Sequence, residues 1–76
     1  MKLTLLQRDD CPLCDEAYAV LAAAGVPDFE VCWIDGDAAL ESRYGTRVPV
    51  LRREGGAELA WPFNGDDVRT FIATSM

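Results

Sequence analysis

The strongest constraint on how this chain folds is a change of hydrophobic period at Pro12. Before it, Leu3, Leu5 and Leu6 stand with Thr4 in a short apolar run, which predicts a buried strand over about residues 2 to 7. After it, Leu13, Ala17, Val20, Leu21 and Ala24 recur at i, i+4, i+7, i+8 and i+11, one face of a helix. Proline suits the first helical turn, and Gly25 followed by Pro27 supplies a stop. At the junction of strand and helix stands Cys11-Pro12-Leu13-Cys14.

The rest of the chain continues the alternation. "FEVCWI" (29 to 34) is short, β-branched and aromatic, apolar on both faces, and reads as a central strand. Asp35 or Asp37 can cap a short helix in which Leu40 and Tyr44 are i, i+4 neighbours and Gly45 is the stop. "VPVLRRE" (48 to 54) and "AELAW" (57 to 61) read as two strands of a hairpin turning at Gly55-Gly56. Asn64 can cap a last helix with Asp66 and Asp67 in its first turn and Val68, Phe71 and Ile72 facing inward. The order β-α-β-α-β-β-α implies an α/β fold: a four-stranded mixed sheet, with a right-handed parallel crossover and helices on both faces. Seventy-six residues without repeat or linker make this one domain, 1 to 76.

A Cys-x-x-Cys pair can be a metal clip, a structural disulfide or a reactive dithiol. Structural zinc normally takes four Cys or His ligands, and this chain has three cysteines and no histidine. No metal is expected. An odd number of cysteines fits a disulfide scaffold poorly. Position favours the dithiol. Unpaired N–H groups and the dipole at a helix start favour a thiolate, the form that attacks disulfides, and a spacing of three brings Cys14 to the same face.

Two further segments join this one. With "CPLC" after the first strand, "TRVPVL" (46 to 51) and "FNGDDV" (63 to 68), the chain resembles the glutaredoxin branch of the thioredoxin-fold superfamily over essentially its whole length. The resemblance implies a thioredoxin fold and a thiol–disulfide oxidoreductase acting on protein or mixed disulfides. Cys11 would attack and Cys14 would resolve. Pro49, in a cis peptide after Val48, would lie beside them, with the Val48 backbone offered to an extended substrate. Pro12, Leu13 and Arg47 would line the same site. Arg8 would pair with one carboxylate of glutathione, and the N–H groups of Asn64, Gly65 and Asp66 with the other. No bound cofactor is implied, and glutathione is the candidate cosubstrate. The same resemblance carries an alternative: a module without turnover, holding an iron–sulfur cluster between two chains or docking a partner protein.

Charge narrows the partners. A net charge of −6 argues against nucleic acid and against an anionic membrane surface, and no segment reads as a signal peptide or membrane span. A cytoplasmic monomer is expected. Asp9, Asp10, Asp15 and Glu16 surround the cysteines, so Cys11 should be less acidic than its helix position alone would make it. A basic protein partner then fits better than a free carboxylate ligand. Cys32, mid-strand, reads as a buried small hydrophobe, and Trp33 and Trp61 as packing residues, Trp61 the better placed to line the site. Arg52 and Arg53 read as a solvated strand end.

Overall fold

The structure, a computed structural model, describes residues 2–26 and 28–73; Pro27, assigned part of the first helix's stop, lies outside them. In chain order the elements are β1 (Leu3–Gln7), α1 (Pro12–Ala23), β2 (Phe29–Trp33), α2 (Ala38–Tyr44), β3 (Val50–Arg53), β4 (Glu58–Ala60) and α3 (Gly65–Ala73). Among the described residues they form one four-stranded sheet in the order β2-β1-β3-β4. β1 pairs with β2 in parallel and with β3 antiparallel, and β3 pairs antiparallel with β4. This is the thioredoxin fold that the resemblance implied. Asp37 rather than Asp35 caps α2, accepting from the Leu40 N–H at 3.1 Å. Gly55 and Gly56 take φ of 101° and 98° at the hairpin, a region closed to most side chains.

Alternation along the strands sorts the apolar residues into two layers. Leu3, Leu5 and Leu51 face Ala17 and Leu21 of α1 and Val68 of α3, with Val26 and Phe63 completing that core. Leu6 and Val50 face the other way, against Ile34 and Tyr44 under α2. The register agrees: Leu5 sits opposite Leu51 and Leu6 opposite Val50.

Three expectations need correction. β2 is an edge strand, not a central one, and Trp33 is 53% exposed. An apolar run reports contact with the layers above and below, and says nothing about how many strands flank it. Cys32 is consequently half-buried beside Leu40 rather than sealed in the core. Arg53 is not a solvated strand end: its Nη1 donates to Phe71 O at 2.6 Å and its guanidinium lies 5.1 Å over the Phe71 ring, tying the hairpin to α3, whereas Arg52 is exposed. No helix among the described residues is long and apolar enough to cross a membrane.

Candidate active site

The β1–α1 connection is anchored on two sides. Asp9 N–H donates to Asp35 Oδ2 at 2.8 Å, fixing it to the loop after β2. Arg8 Nη1 donates to Gly45 O at 2.8 Å, fixing it to the end of α2. Arg8, assigned above to a ligand carboxylate, thus has one nitrogen committed within the protein. Between these anchors and the helix, Asp10 adopts φ 55°, the left-handed region that Asp and Asn enter more readily than most residues.

Cys11 is the N-cap of α1 and Pro12 its first residue. The Cys14 N–H donates to Cys11 Sγ at 3.2 Å and lies 3.0 Å from Cys11 O. The sulfur occupies the place where an N-cap oxygen normally accepts, so negative charge there meets an N–H group and the positive end of the helix. Cys11 and Cys14 are joined as a disulfide with their Cα atoms 5.2 Å apart, and Cys32 stays outside it. The two partners differ in access: Cys11 is partly exposed, while Cys14 is 1% exposed and points inward with Ala17 and Leu21. Pro12 and Leu13 are exposed beside them, Leu13 offering an apolar surface that is 47% open.

Pro49 is fully buried and, two residues before Leu51, lies on the face of the sheet that α1 covers. The Val48–Pro49 and Trp61–Pro62 peptides are cis, and Trp61 N–H donates to Pro49 O at 3.3 Å. Val48 packs against the α2-side core, and its N–H is committed to Tyr44 O at 3.1 Å. Trp61 is half-buried, edge-on to Phe63 at 5.0 Å between ring centres.

Arg47 is drawn away toward β4. Its Nη2 lies 3.5 Å from Glu58 Oε1, and its guanidinium 5.6 Å over the Tyr44 ring. Tyr44, wholly buried, donates its hydroxyl to Glu58 Oε2, and Arg43 approaches the same carboxylate at 4.0 Å. The Tyr44 hydroxyl holds Glu58 below the usual carboxylate range, with help from Arg43, Arg47 and Arg52 and against its partial burial. Burial first, then the hydrogen bond to Glu58, raises the Tyr44 phenol above its ordinary value.

At the start of α3, Asn64 and Asp67 cap one another: Asp67 N–H donates to Asn64 Oδ1 at 2.8 Å, and Asn64 N–H to Asp67 Oδ2 at 2.9 Å. This consumes the Asn64 N–H, one of three assigned above to a ligand. Gly65 and Asp66 retain theirs at the first two positions of the helix.

Sequence reasoning passed over three features of this region: the Tyr44–Glu58 pair, the Asp10 backbone and Gln7. Only Gln7 left a readable signal, since a polar side chain follows Leu3 and Leu5 on the inward-facing alternation of β1.

Comparison with known proteins agrees with this geometry. Residues 2–73 match the family model described as a glutaredoxin-like domain (DUF836). The X-ray structure of the Northeast Structural Genomics target protein XcR50 from X. campestris superimposes with a TM-score of 0.93 at 53% identity, covering 97% of this chain and 99% of that one. The solution structure of protein Ne2328 from Nitrosomonas europaea gives a TM-score of 0.76 at 32% identity, over 92% of this chain and 88% of that one. No curated protein matches.

Proposed function

Since the chain belongs to the glutaredoxin-like domain family, we propose that it is a thiol–disulfide oxidoreductase working through Cys11 and Cys14. One observation carries this reading: Cys11 caps the helix with its sulfur, accepting the Cys14 N–H, while bonded to the buried Cys14. The helix start favours thiolate at the accessible sulfur, and the resolving sulfur lies one turn inside.

In the reducing direction the Cys11 thiolate attacks one sulfur of a substrate disulfide, forming a mixed disulfide and releasing the other sulfur as a thiolate that takes up a proton. Cys14 then loses its proton and attacks Cys11 Sγ. The second substrate thiol leaves and the Cys11–Cys14 disulfide closes. Two thiols of an external reductant, for which glutathione is the candidate, return the pair to the dithiol. The exposed Leu13 beside Cys11 supplies an apolar contact, and the acids around it favour a protein substrate with basic residues near its disulfide.

The test is turnover of a small mixed disulfide and of a basic protein disulfide, with glutathione and with a thioredoxin-type reductant, in wild type, Cys11→Ser and Cys14→Ser. Cys11→Ser should abolish turnover with either substrate. Cys14→Ser should trap mixed disulfide on Cys11. Equal activity of Cys11→Ser and wild type would overturn the reading.

A further inference from the structure

Gln7 ends β1 on the side of the sheet that carries Leu3 and Leu5. It is only 5% exposed, and its Oε1 is buried with no hydrogen-bond partner. A buried amide oxygen without a donor forfeits its hydration with nothing in return, so its persistence calls for a reason.

Its position suggests one. α1 covers this face with Cys14, Ala17 and Leu21, and the last two meet Leu5. α1 runs back along β1, so a step of two residues from Leu5 toward the end of the strand leads to the first turn of the helix, where Cys14 is buried. On the other flank, β1 pairs antiparallel with β3 up to Leu6 opposite Val50. Carried one residue further, that register sets Gln7 beside Pro49, also fully buried. The orphaned oxygen thus lies on the face of the sheet that α1 covers, at the end of β1 toward which the helix's first turn and its buried Cys14 are directed. In the disulfide the Cys14 sulfur has no proton to give.

We propose that Gln7 is a positioning residue for reduced Cys14: its Oε1 accepts the Cys14 S–H in the dithiol and loses its donor when the disulfide closes. This rests on the thiol–disulfide reading above. On reduction by dithiothreitol, the reductant's two thiols give up two electrons and two protons and become a disulfide. The Cys11–Cys14 bond breaks, each sulfur takes up one proton, and the one on Cys14 goes to the Gln7 oxygen. The amide thus favours the dithiol relative to the disulfide and makes the couple more oxidising.

The experiment is equilibration of wild type and Gln7→Met against graded dithiothreitol, with the Cys11–Cys14 state read by alkylation and mass. Methionine keeps the unbranched shape and removes the acceptor. The equilibrium constant should shift about tenfold toward disulfide in Gln7→Met, equivalent to about 30 mV for this two-electron couple. The same shift should appear as a rise in melting temperature of the oxidised variant without an equal rise of the reduced one. An unchanged constant, or a shift toward dithiol, overturns the role of Gln7 and leaves the redox reading standing. If wild type itself fails to cycle between disulfide and dithiol, the redox reading falls and this role falls with it. Should Gln7→Met not fold, the Gln7 side-chain amide signals of the native protein decide. They should move on reduction, and in reduced Cys14→Ala they should return to the oxidised position; identical signals in both redox states of the native protein overturn the proposal.

Discussion

The hydroxyl of Tyr44, the last residue of α2, donates to the carboxylate of Glu58, the first residue of β4, and so joins helix to hairpin across the α2 face of the sheet. Arg43 and Arg47 reach the same carboxylate from outside, and both guanidinium groups lie over the Tyr44 ring. The loop carrying Val48 and Pro49 leaves directly from this cluster. Its integrity sets where that loop begins.

The cluster gives stability a defined pH window. Glu58 has a lowered folded value, so its contribution is in place above the ordinary carboxylate value, about 4.3, and drains as pH falls through the folded one. Tyr44 has a raised folded value, so its contribution is in place below about 10 and drains as pH rises toward and through the folded one. Tyr44→Phe should cost about 1–3 kcal/mol at neutral pH, a fall in melting temperature of roughly 4–8 °C for each kcal/mol. Glu58→Gln should flatten the acid limb of melting temperature against pH. Superimposable acid limbs in wild type and Glu58→Gln would contradict this.

Gly45 should resist substitution. A Cβ there would collide with Glu41 O, a backbone atom that cannot swing aside, and Gly45 O is the acceptor that anchors Arg8. Gly45→Ala is expected to destabilise by about 1–3 kcal/mol, as overpacking does. Because it also disturbs the Arg8 anchor, it should slow alkylation or exchange at Cys11 in whatever protein remains folded. Denaturant unfolding with parallel thiol kinetics measures both effects.

The acids around Cys11 should hold back its thiolate. All four of Asp9, Asp10, Asp15 and Glu16 are exposed, so salt should screen them. One carboxylate about 7 Å away opposes a thiolate by roughly 0.6 kcal/mol in water-like surroundings, nearly threefold in thiolate population. With Cys14 and Cys32 replaced by Ser, Asp9→Asn/Asp10→Asn should therefore alkylate several-fold faster than its parent at pH 7 and low salt. Added salt should narrow the gap. Equal rates at low salt would show that the acids do not reach the sulfur.

Cys32 should label in the native state, more slowly than reduced Cys11 and without joining the disulfide. Its half-buried place on an edge strand gives a reagent partial access. Mass mapping after brief native alkylation checks this. Complete protection until unfolding would mean that the edge is more closed than its exposure indicates.

Much of this architecture is legible in the residues because each signal there is local. The change of period at Pro12, the hairpin glycines and the Asn64 cap each act within one or two turns of chain, and every expected element forms. What escaped was decided by tertiary neighbours. The edge position of β2 depends on which side of β1 the chain crosses to after α2, and nothing in "FEVCW" encodes that. Arg47 was expected to line the site, and it turns instead to Glu58, eleven residues on, which the hairpin brings to it. Within the candidate site, the cysteine pair was readable from its spacing and its place before a helix. The commitment of Arg8 was not, since Gly45 reaches it only when the loops meet. The Val48 N–H and the Asn64 N–H are instead taken by the near neighbours Tyr44 and Asp67, local partners that the reading of a ligand site passed over.

The left-handed backbone of Asp10 also limits what mutational scanning can say about charge beside the nucleophile. Alanine or a β-branched residue at this position alters both the electrostatics and the path of the chain into the helix, so a loss of activity there has two indistinguishable causes. Asparagine and glycine tolerate φ 55° and carry no charge. They turn position 10 into a site where electrostatics can be varied at nearly constant geometry. An alanine scan of the loop would merge the loss of a charge with the loss of a backbone bend.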